Sequence, residues 1–116
     1  MRIEFNGDEL ILTLVSLIRA VNPVMLRQGP DGFTVDFEPL EGKTAWSDDE
    51  RLLLKIRVVL EAPPASNYGM DLSAAEGHRL AETLGQLESL QSWPADVLAL
   101  SQRLRARLDS VTDPAS

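Results

Sequence analysis

His78 is the only histidine in the chain and there is no cysteine, so any imidazole-dependent catalysis or transition-metal binding would have to use that one residue. It lies two residues after Glu76, with Glu82 four residues further on and on the same face of a helix. A histidine beside a carboxylate can serve as a general base, but the spacing places no activated nucleophile next to it. A surface imidazole near an acid is the plainer reading, and an enzyme built on His78 with a carboxylate is the least expected function of this chain. One histidine without thiolates also falls short of a structural zinc set. The run Asp48, Asp49, Glu50 offers hard oxygen ligands, yet it lacks the alternating spacing and central glycine of a calcium loop. It reads as a solvated acidic run in a turn or at a helix start. No catalytic, cofactor-binding or metal residue is assigned.

Other motifs point to structure before chemistry. Gly29-Pro30-Asp31-Gly32 lacks the Lys-Ser/Thr pair of a phosphate-cradling loop and reads as a turn. Arg103, Arg105 and Arg107 form the densest basic cluster, with Arg103 and Arg107 on one helical face; positive charge near a helix C-terminus is favoured by the dipole without any ligand. Trp46 is flanked by Lys43, Thr44 and Ser47 and adjoins the acidic run. Tryptophan either lids the edge of a small core or anchors an interface. Trp46 with Asp48, Asp49 and Glu50 is therefore the expected partner-contact region, while Trp93 is expected to fill core.

The whole composition narrows the classes further. With 116 residues, 44% apolar and 25% charged, the chain is long enough for one core, burying about two thirds of its unfolded surface, and too short for two. A formal charge of -7 opposes binding to a polyanion, so nucleic acid is disfavoured. The acids are uneven, with seven between Asp31 and Glu50 against the single base Lys43. The longest apolar stretch, Leu10 to Ile18, follows two acids and is too short to span a bilayer, so neither a membrane nor a secretory segment is expected. Without cysteines, the cytoplasm is the default location.

The elements that must position these residues follow from periodicity and caps. Ile3 and Phe5 alternate with Arg2 and Glu4 as in a strand. Asn6-Gly7 is a hairpin signal, but Asn6 with Glu9 also fits a capping box, and Leu10, Ile11, Leu14, Val15, Ile18 and Val21 form a helical stripe that Pro23 stops. The helix is preferred. Pro23 to Glu38 reads as a hairpin about the Gly29 to Gly32 turn, with Gln28 opposite Phe33, Leu26 opposite Val35 and Val24 opposite Phe37. Leu52 to Glu61 fits both a strand (Leu52, Leu54, Ile56, Val58, Leu60 inward) and a helix (Leu52, Leu53, Ile56, Val59, Leu60 inward, with Ser47 and Glu50 as caps). Its β-branched residues favour a strand whose Lys55 and Arg57 lie across from Asp36 and Glu38. A short strand at Tyr68 to Leu72 is followed by a helix opened by Ser73 and Glu76, with Leu80, Ala81, Leu84 and Leu87 inward. Pro94 opens a last helix with Val97, Leu100, Leu104, Leu108 and Val111 on one face, and the short link implies a helical hairpin. A shift of 67 residues superposes the two capping boxes but sets Leu80 on Thr13 and His78 on Ile11, so the match reads as shared local grammar more than a repeat.

These readings combine into an α+β domain over residues 1–111, an antiparallel sheet of about four strands against three helices with a C-terminal helical hairpin, and a frayed tail over 112–116. Leu12, Leu90 and Leu98 fall off their helices' main stripes, and Leu53 and Val59 lie outward on the expected strand. Apolar residues left over in this way suggest self-association. The expected function is non-enzymatic protein interaction or an accessory role, with a protein partner or a second copy as a homodimer. A small-ligand-binding regulatory domain, with its pocket between helical hairpin and sheet, is the alternative.

Overall fold

The computed structural model describes residues 2–30, 32–61, 67–90 and 92–111. The tail expected to fray and most of the turn expected over 62–67 lie outside them. Among the described residues the chain is a mixed, mostly helical α+β structure of five α-helices and four strands. No described helix is long and apolar enough to cross a membrane.

Strand β1 (Arg2–Phe5) buries Ile3 and Phe5 and turns Arg2 and Glu4 to solvent, as its alternation requires. Asn6 then caps α1 (Gly7–Val21): its side chain accepts from the Glu9 N–H at 2.8 Å, and its own N–H donates to Glu9 Oε1 at 2.9 Å. Such a box stabilises a helix start by about 1 kcal/mol, and here the helix prevails over the hairpin turn that Asn6-Gly7 could also make. After a 3-10 turn at Pro23–Met25, strands β2 (Leu26–Gly29) and β3 (Gly32–Val35) pair antiparallel with Leu26 opposite Val35 and Gln28 opposite Phe33. The pairing of Val24 with Phe37 does not occur, because Pro23 starts the 3-10 turn and leaves Val24 exposed.

The short helix α2 (Glu38–Glu41) seats Leu40 in the core. Residues 52–61, expected as a strand, belong instead to helix α3 (Asp48–Glu61). Ser47 and Glu50 form a third reciprocal cap, the Glu50 N–H donating to Ser47 Oγ at 3.2 Å and the Ser47 N–H to Glu50 Oε1 at 2.9 Å. Asp48, Asp49 and Glu50 then occupy the first turn, where the dipole favours negative charge. Leu52, Leu53 and Ile56 are buried, whereas Val58, inward on a strand, is 69% exposed. The helical period and its cap outweigh the strand preference of three β-branched residues, which spans only tenths of a kcal/mol each.

That helix removes the strand needed to join the sheet. The four strands form two separate ladders, β2 with β3 and β1 with β4 (Tyr68–Asp71), the latter antiparallel with Ile3 opposite Met70. The expected cross-strand ion pairs are absent as well: Lys55 pairs with Glu76, Arg57 with Glu41 and Glu61, and Asp36 with Arg27. Helix α4 (Ala74–Glu88) opens on the Ser73–Glu76 box, and Leu80, Ala81, Leu84 and Leu87 are buried. Helix α5 (Ala95–Asp109) starts after Pro94, which is its N-cap. The start of α4 meets the end of α5: a Cβ on Gly77 would lie 2.7 Å from the Leu108 carbonyl oxygen, and His78 faces Asp109.

The two capped units also occupy equivalent places. Helices α1 and α4 have the same length, begin 67 residues apart, and touch where the Ser16 and Thr83 hydroxyls lie 3.2 Å apart across the same separation. Ile3 and Met70, opposite each other in the β1–β4 ladder, carry that offset too. Positions whose chemistry disagrees share their environment: Thr13 and Leu80 are both buried, Ile11 and His78 both exposed. What reads in sequence as shared grammar is in space an approximate internal two-fold.

Candidate functional site

Most residues with chemical potential are engaged within the chain. Trp46 is half-buried, packs on the core and donates its indole N–H to the Leu40 carbonyl at 2.8 Å. Asp49 accepts two hydrogen bonds from Arg79, at 2.9 and 3.0 Å. Glu50 takes Lys43 Nζ at 2.6 Å in addition to its cap, and these bonds, Lys43 first and the Ser47 N–H next, hold its carboxyl below the usual range. The pair with Asp49, stronger than the cost of burial, raises the Arg79 guanidinium above its ordinary value. Asp48 stands exposed in the first turn of α3. The four residues of the expected contact region therefore lie together at one helix start, with three of them bonded internally.

His78 is 58% exposed, with Nδ1 3.3 Å from Asp109. Glu82, its expected neighbour, binds Arg79 instead. Among the described residues no three histidines or acids converge as a metal site would require. Two of the three clustered arginines have structural partners: Arg105 meets Glu88 at 2.6 Å, and Arg107 meets Glu9 at 2.6 Å while donating to the Glu4 carbonyl; Arg103 is exposed.

The feature with room for another molecule is an apolar groove of about 620 Å³ between α1 and the α4–α5 hairpin. It exists because α1 is apolar on two sides. Leu10, Leu14, Leu17 and Ile18 face the core, and the expected stripe is rotated away from Ile11 and Val15. Those two, with Leu12, form one wall of the groove; Leu90, Trp93 and Leu100 contribute to the other. Trp93 donates its indole N–H to the Leu87 carbonyl at 2.9 Å, which pins the ring at the groove in place of the expected core position. Ile11 and Leu90 remain 55% and 57% exposed, large apolar surfaces facing water. Three charges line the same groove, Asp8, Arg19 and Asp96, and none has an ion pair or side-chain hydrogen bond among the described residues. Behind Trp93, the buried Ser101 hydroxyl likewise has no partner among them.

Leu12 and Leu90 carried a signal in sequence, as leucines off their stripes. Trp93, Val15 and Leu100 carried none, because each also fits a core-facing stripe or a helix break. Compared with known families, curated proteins and solved structures, the chain matches none.

Proposed function

We propose that the protein works without catalysing a reaction, as an interaction domain that receives an apolar partner surface in the groove between α1 and the α4–α5 hairpin. The observation that carries this reading is the coincidence of exposed Ile11 and Leu90 with three internally unmatched charges around one apolar groove. Contiguous exposed apolar surface with a polar rim marks interaction sites on small proteins. The internal bonding of Trp46, Asp49 and Glu50 makes the groove a better contact surface than the acidic start of α3, which leaves Asp48 for a secondary rim contact. A cytoplasmic setting goes with this reading, supported by the absence of cysteine.

A photo-crosslinking side chain introduced at Leu90, compared with one at Val58 on the exposed side of α3, tests it in host cells. A discrete adduct from position 90 and none from 58 is the expected result. Equal labelling from both positions, or none from 90, would overturn the assignment of the groove. The groove volume, within the few hundred to about 1,000 Å³ of small-molecule sites, favours as second reading a regulatory domain holding an apolar small ligand. A co-purifying small molecule, lost on Leu12→Arg, would select that reading over a macromolecular partner.

A further inference from the structure

We infer that the occupant of this groove is a second copy of the same chain, docked about a two-fold axis so that the outer stripes of the two α1 helices run antiparallel. The inference rests on the groove's being a partner site and adds the partner's identity. Asp8, Ile11, Leu12, Val15 and Arg19 recur at helical spacing within an arc of about 100° on the groove side of α1, with Asp8, Ile11 and Arg19 exposed and Leu12 and Val15 half-buried. The stripe has an acid at one end and a base at the other, about 16 Å apart along the axis. Neither is bonded to a side chain of its own copy among the described residues.

A stripe of this kind is complementary to itself. When two copies run antiparallel, with the axis passing between positions 13 and 14, Asp8 of each copy faces Arg19 of the other. The same axis sets Leu12 of each copy against Val15 of the other, so one register satisfies the charged ends and the apolar middle together. An isologous two-fold contact needs this self-complementarity, each pair occurring twice. A partner of uniform charge would meet one like charge along the stripe, which a second copy avoids. Closure of the two grooves against each other takes Ile11 and Leu90 out of water.

Charge reversal tests the register. Wild-type protein at high micromolar concentration should sediment as a dimer. Asp8→Arg and Arg19→Asp, each placed on an outward helix position and checked for folding by circular dichroism, should each weaken the dimer by about tenfold or more, since two attractive pairs become repulsive. Mixed one to one, the two variants should recover a heterodimer of near wild-type affinity, because every facing pair is then of opposite sign. A wild-type monomer, single variants that dimerise normally, or a mixture that fails to associate would each overturn the inference. A wild-type monomer that still yields an adduct from position 90 with a different protein would overturn the second copy alone and leave the groove reading standing.

Discussion

Glu76 shows how one side chain serves several layers of the structure. Its carboxylate accepts the Ser73 N–H at 2.9 Å to cap α4 and takes Lys55 Nζ at 3.0 Å, which ties α4 to α3. Burial alone would raise its pKa, but the Ser73 N–H and Lys55 outweigh it and the group sits below its ordinary value of 4.5. Glu50 is shifted in the same direction at the start of α3. With the folded pKa below the unfolded one, the unfolded chain binds more protons in that interval. The stabilisation is therefore present above 4.5 and lost as pH falls through the folded value. Glu76→Gln keeps a capping side chain and removes the titration. Its thermal midpoint should fall less than that of the wild type between neutral pH and about pH 3. Parallel curves for the two proteins would contradict this role for Glu76.

At the scale of elements, the close approach of α4 and α5 depends on Gly77. A methyl group there would meet the Leu108 carbonyl at 2.7 Å and Val111 Cβ at 3.1 Å, and backbone cannot swing aside as a flexible side chain can. Gly77→Ala gains up to about 1 kcal/mol of helix propensity and loses more to overpacking, for a net destabilisation of about 1–2 kcal/mol. Gly85→Ala, on the same helix, meets only the movable end of Arg105 at 3.4 Å and should be neutral or stabilising by up to about 1 kcal/mol. Urea denaturation of the pair reads the contrast; equal effects would mean that the helices are not in contact at Gly77.

Across the whole molecule, Arg107 joins the two ends of the described chain. Its guanidinium binds Glu9 at 2.6 Å, donates to the Glu4 carbonyl and lies 6.0 Å from the Phe5 ring centroid. Glu9 is itself buried, so removing its partner leaves a carboxylate short of compensation. Arg107→Met should cost about 1–3 kcal/mol. Glu9→Gln should then cost less in the Arg107→Met background than in the wild type, and additive losses would show that the two side chains are not coupled.

Much of this protein is determined locally and can be read from its residues. The Asn6–Glu9 and Ser73–Glu76 boxes fix two helix starts, Pro23 ends α1, and the glycine turn sets Leu26 against Val35, because each acts over a few consecutive residues. The same local rules also contained the cap of α3, but residues 52–61 satisfied both periods, and burial of Leu53 with Ile56 against the rest of the core, added to that cap, chose the helix. That choice divided the expected sheet into two ladders. The groove belongs to tertiary structure alone: an apolar stripe does not reveal which of its sides meets the core, and in α1 Leu10, Leu14 and Leu17 are buried while Leu12 and Val15 stay half-buried along the groove. Residues nearly 80 positions apart, such as Ile11 and Leu90, became one surface when α1 packed against the α4–α5 hairpin, since convergence of that kind is decided by how whole faces fit and not by any neighbour in sequence.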